Sequence, residues 1–81
     1  MDKHVKYRAF VETVKCGSFT AAANILNYTQ PGISRIISGM EEDFGFRLFN
    51  RSKSGVSLTE EGKRIYELCL SILEKENIVL L

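Results

Sequence analysis

A chain of 81 residues makes one domain at most, and the modest core it can bury places any function on a surface and not in a deep cavity. No apolar run approaches the roughly 20 residues that span a bilayer, and the N-terminal MDKHVKYR lacks the apolar core of a signal peptide, so a soluble, cytoplasmic protein without a membrane partner is expected. The net charge of +1 is a weak pointer to nucleic acid, but its distribution is uneven: residues 1–58 hold eight Lys/Arg against five Asp/Glu, and residues 59–81 hold three against five. The last segment is therefore a poor candidate for phosphate contact.

In chain order, Tyr7, Phe10, Val11 and Val14 follow the i, i+3, i+4, i+7 spacing of a helix with one buried face, terminated at Gly17. Residues 17–38, GSFTAAANILNYTQPGISRIIS, then read as two short helices joined by a tight polar turn. That is the outline of a helix-turn-helix, a device for placing a helix in the major groove of DNA. The first of the two spans 18–26, with Ser18 as its N-cap, Phe19 just after it, and Ile25 and Leu26 turned inward. Ala21, Ala22 and Ala23 favour helix and let a second helix cross closely. Thr29 offers the next N-cap, and Pro31 falls in the first turn, where its missing N–H costs nothing.

The helix from Gln30 ends at Gly45, a left-handed cap, and carries Ile33, Ile36, Ile37, Met40 and Phe44 on one stripe. At about 100° per residue the opposite face holds Pro31, Ser34, Arg35, Ser38 and Glu42. Arg35, the small hydroxyls and Gln30 lie in its N-terminal half, whereas Glu41, Glu42 and Asp43 lie in the C-terminal half, where phosphate would repel them. The N-terminal half is thus the end that meets DNA, which also turns the positive end of the helix dipole toward the backbone.

The period then changes. Leu48, Phe49, Val56 and Leu58 flank a polar tip, Ser52 to Gly55, which predicts a two-stranded hairpin, a wing, with Arg51 and Lys53 at or near its tip. Thr59 caps a last helix with Glu60 and Glu61 in its first turn. Its apolar stripe, Ile65, Leu68, Cys69, Ile72, Leu73, Val79 and Leu80, is too long for so small a domain to cover, which suggests a pairing helix and a link to a part not contained in these residues.

Other chemistry finds little support. The only histidine is His4, near a terminus, and the acidic pairs Glu41/Glu42 and Glu60/Glu61 point different ways on their helices, so no catalytic residue, metal site or cofactor is expected. Cys16 and Cys69 have no CxxC spacing and read as reduced structural residues. Arg47 reads as a structural partner of an acidic neighbour such as Asp43.

In this order and spacing, GSFTAAANIL, TQPGIS, MEEDFGFRLFNR and LTEEG resemble the N-terminal DNA-binding domain of the LysR-type transcriptional regulators. The resemblance implies a mainly α fold with a small β-hairpin: a winged helix-turn-helix over residues 1–58 and a long linker or dimerisation helix over 59–81. It further implies a homodimer on an inverted repeat of double-stranded DNA, an interrupted palindrome with a T and an A at its outer positions. A small-molecule effector would bind only through a C-terminal domain absent from these residues. Carried over position by position, it places Thr29, Gln30, Pro31, Ser34 and Arg35 at the groove and Arg51 near the backbone. Ser18, Thr20 and Thr29 suit phosphate contact, Ser38 continues the outward face, and Lys53 stands beside Ser54, where the family often has arginine. Gly32 stands where alanine is common, and Gly39 falls mid-helix, each weakening the helix by up to about 1 kcal/mol. The low net charge leaves a second reading open, a winged helix used only for protein association.

Overall fold

The computed structural model describes residues 4–75. Within them the order is α1 (Val5–Cys16), α2 (Phe19–Leu26), α3 (Gln30–Phe44), β1 (Phe49–Ser52), β2 (Gly55–Leu58) and α4 (Glu60–Lys75). The helix ends follow from capping chemistry. Ser18 Oγ accepts from the Ala21 amide at 3.2 Å, Thr29 Oγ1 from Gly32 at 3.1 Å, and Thr59 Oγ1 from Gly62 at 2.9 Å, each satisfying one orphan donor of a first turn. Pro31 is the second residue of α3. The α2–α3 turn is made by Asn27 in the left-handed region (φ 64°), after which the Tyr28 amide donates to the Ala23 carbonyl at 2.8 Å.

All four helices and the hairpin close on one core. Ala9, Phe10 and Val11 of α1 pack against Ala23, Ile33, Ile37 and Met40 from the helix-turn-helix, with Cys69 and Leu73 of α4 on the other side and Leu48 and Phe49 beneath. Phe49 meets the rings of Phe10 and Phe19 edge-on, with centroids 5.3 and 5.7 Å apart. The hairpin is antiparallel with Phe49 opposite Leu58 and Arg51 opposite Val56, turning through Lys53 and Ser54. It is fastened to the α1–α2 corner: the Val56 amide donates to the Gly17 carbonyl at 3.4 Å, and a Cβ on Gly55 would lie 2.9 Å from that same oxygen. Gly55 thus permits a close approach as well as its φ of 127°.

Three apolar expectations are corrected. Ile25 is 60% exposed and not turned inward, because the inner face of α2 is formed by Ala22 and Ala23, and on 100° steps Ile25 lies about 110° from their midline. Phe44 is 42% exposed; it ends α3 at the left-handed cap Gly45 and stacks flat on Phe46, centroids 5.5 Å apart, beyond the core. Leu73, expected on the pairing face, is fully buried against the rest of the domain and belongs to its core. Arg47 also differs: among the described residues it is exposed and makes no ion pair with Asp43, while its carbonyl accepts from the Thr59 hydroxyl at 2.7 Å.

Candidate nucleic-acid interface

The sorting of α3 into two faces sets the geometry. Ile33, Ile37 and Met40 are buried, and on the other side Gln30, Pro31, Arg35 and Ser38 are exposed, with Ser34 half-buried between them. Pro31 has no N–H and the Gly32 and Ile33 amides are held by Thr29, so what the N-terminal half presents is the side-chain amide of Gln30, the hydroxyls and the Arg35 guanidinium together. Thr20 and Thr29 are exposed and Ser18 is half-buried; the hydroxyl oxygens of Ser18 and Thr29 accept as caps, which leaves each O–H able to donate.

An open groove joins these elements. Ser18 and Thr20 at the start of α2, Gln30 at the start of α3, and Arg51 and Ser52 of β1 line it together. Four of the ten residues read from the sequence as DNA-facing therefore share one concavity, and Arg35, on the outward face of α3, does not line it. Lys53 sits exposed in the two-residue hairpin turn, which the Ser52 and Ser54 hydroxyls brace at 3.0 Å.

Arg51 lies near the tip, on β1 one residue before Ser52. Its guanidinium lies 5.3 Å from the centroid of the Phe19 ring and donates from Nη2 to Glu41 Oε1 at 3.3 Å. The other oxygen of Glu41 accepts from the amides of Leu48 at 2.8 Å and Phe49 at 3.3 Å. Sequence reasoning placed Glu41 merely among acids kept from phosphate, and no periodicity signals a carboxylate that reaches seven to ten residues forward. No group of His, Cys, Asp and Glu among the described residues could hold a metal ion. Nor is any described helix long and apolar enough to cross a membrane. Burial pushes the Cys69 thiol up to about 11, with Lys6 acting weakly in the opposite sense, which suits an inert core side chain.

A capped helix pair with an exposed polar second helix, flanked by a basic hairpin, defines a winged helix-turn-helix. The family described as bacterial regulatory helix-turn-helix protein, lysR family, matches residues 5–63. An HTH-type transcriptional repressor of Pseudomonas aeruginosa is 36% identical over 75 residues, 93% of this chain and 24% of that protein. The regulator YtlI of Bacillus subtilis is 50% identical over 60 residues, 74% of this chain and 19% of that protein. The crystal structure of a CbnR DBD–DNA complex superposes with a TM-score of 0.88 at 32% identity, covering 94% of this chain and 87% of that one. The chain belongs to the lysR family of regulatory helix-turn-helix proteins, and the relatives named above are transcriptional regulators. It spans about a quarter or less of the length of these curated relatives.

Proposed function

We propose that this chain is the sequence-reading part of a cytoplasmic transcriptional regulator, with residues 1–58 binding double-stranded DNA and residues 59–81 pairing two copies on an inverted repeat. The observation that carries the reading is the polar, exposed N-terminal half of α3 set beside the wing across one groove. In it α3 enters the major groove N-terminus first. Gln30 pairs with an adenine edge, Pro31 packs on a thymine methyl with Ser34 and Ser38 beside it, and Arg35 reaches guanine or a phosphate. Ser18, Thr20 and Thr29 hold phosphates, and Arg51 and Lys53 meet the backbone or the adjacent minor groove. Pairing uses the outward edge of the α4 stripe: Leu68 is 59% exposed, flanked by the half-buried Ile65 and Ile72. Val79 and Leu80 lie outside the described residues. Any small effector binds through a domain beyond residue 81.

Selection of bound sites from a random duplex pool tests this directly. It should return two half-sites about 34 Å apart or a multiple of that. On the selected site Arg35→Ala should cost roughly 1–3 kcal/mol and relax one base position, whereas Lys53→Ala should weaken all sequences alike and flatten the salt dependence. Failure to bind random duplex at low salt with tens of micromolar protein would instead favour a protein-association module, because non-specific dissociation constants fall near 10⁻⁴ to 10⁻⁶ M.

A further inference from the structure

Arg51 faces the groove but is already engaged within the chain. One edge of its guanidinium is taken by Glu41 and its face by Phe19, while its side chain remains 37% exposed and lines the groove with Ser18, Thr20 and Gln30. Glu41 is only 12% exposed and is itself fixed by the Leu48 and Phe49 amides at the entry to the wing. A guanidinium carries five N–H donors, and Glu41 occupies one of them.

We propose that Glu41 is a positioning residue for DNA binding: anchored on the main chain of the wing, it holds Arg51 in place so that the remaining donors meet a backbone phosphate in the groove. This rests on the DNA-binding reading above. An unrestrained arginine on an exposed strand must surrender its rotamer freedom when it binds, and one that is already stacked and paired has surrendered it on folding. The carboxylate does not cancel the contact, because two main-chain amides hold its other oxygen and it meets Arg51 at one edge. Glu41 also sits on α3, so the same bond ties the helix that reads bases to the strand that meets the backbone.

The test is a cycle of the 81-residue parent, E41Q, R51M and E41Q/R51M, each shown folded by circular dichroism and titrated by fluorescence anisotropy against the selected duplex at several salt concentrations. R51M should weaken binding about tenfold and lower the salt slope by about 0.9, the value for one phosphate contact. E41Q should weaken binding about fivefold in the parent and less than twofold in the R51M background, as expected for residues acting through one contact. Equal losses in both backgrounds would reduce Glu41 to a structural role and overturn the proposal. R51K gives an independent arm that leaves Glu41 untouched. Keeping the charge but losing the planar fork, it should bind several-fold more weakly with an unchanged salt slope; parent-like binding by R51K would overturn the proposal as well. A parent that binds no duplex removes the DNA reading itself, an outcome distinct from a parent that binds while the cycle shows no coupling.

Discussion

Two alanine substitutions on glycine should move stability in opposite directions, for reasons that lie in the space around each site. Gly39 sits exposed in the middle of α3 with a helical backbone, and a Cβ built there meets nothing within 4 Å. Gly39→Ala should therefore return the propensity difference alone, a gain of about 0.5–1 kcal/mol. Gly62 is buried in the first turn of α4, where a Cβ would overlap the Leu48 carbonyl oxygen and lie 3.0 Å from Leu58 Cδ2 and 3.1 Å from the Leu48 carbonyl carbon.

That carbonyl has nowhere to go. It accepts from the Thr59 amide at 3.0 Å, and the Leu48 amide is held by Glu41 at 2.8 Å, so retreat breaks the joint between the wing and α4. Overpacking of about 1–3 kcal/mol and one lost hydrogen bond of about 1 kcal/mol outweigh the same propensity gain. The net loss for Gly62→Ala is about 1–3 kcal/mol. Thermal unfolding at one fixed protein concentration reads both, at about 4–8 °C per kcal/mol for a domain of this size. Equal shifts of one sign would refute the steric argument, leaving propensity as the only term.

Cys69 should make stability fall at high pH. Its folded-state value of about 11 lies above the ordinary thiol range, so below pH about 9 both states hold the proton and the contribution is intact. As pH rises from about 9 through 11 the unfolded state releases its proton first, and stability is lost. Urea titrations of the parent and Cys69→Ala across this window should show a steeper decline for the parent; parallel curves would exclude the thiol as the cause. Leu68→Glu should shift sedimentation toward the monomer and leave monomer stability within about 0.5 kcal/mol, as for an exposed site. A self-association constant unchanged by this substitution would move the pairing surface elsewhere.

Most helix boundaries were legible because each rests on one local interaction: a hydroxyl at Ser18, Thr29 or Thr59, a proline in the first turn, a glycine at a left-handed cap. The opposed faces of α3 were legible from its 100° period. Less was legible where two surfaces compete for one stripe. Cys69, Leu73, Ile65 and Leu68 all lie on the apolar side of α4, yet Leu73 and Cys69 are buried in the domain's own core and Leu68 is exposed. The packing of α4 against α1 and the rest of the core decides the division. The Glu41–Arg51 pair was invisible for a related reason, since it depends on how the strand of the wing returns beneath α3 and not on any repeat in the residues. Ile25 failed because a helix of eight residues that packs through alanines has too narrow a buried face to include it.

On the proposed reading, charge sets how steeply one copy or two should respond to salt. On the proposed DNA-facing side one copy offers Arg35, Arg51 and Lys53, and if Arg35 is spent on a base edge, two cations remain for phosphate. Each neutralised phosphate contributes about −0.9 to the slope of log K against log salt, so one copy on a half-site should show a slope near −2. Two copies on the full inverted repeat should show a slope near −4. Between 50 and 200 mM salt these slopes correspond to losses of about 16-fold and about 250-fold. Hydroxyl and amide contacts from Ser18, Thr20 and Thr29 release few counterions, so they add affinity without steepening the slope. Titrating both duplexes across that range separates the cases. A common slope on half-site and full site would mean that a single copy binds each, and the exposed edge of α4 would then owe its apolar character to something other than pairing on DNA.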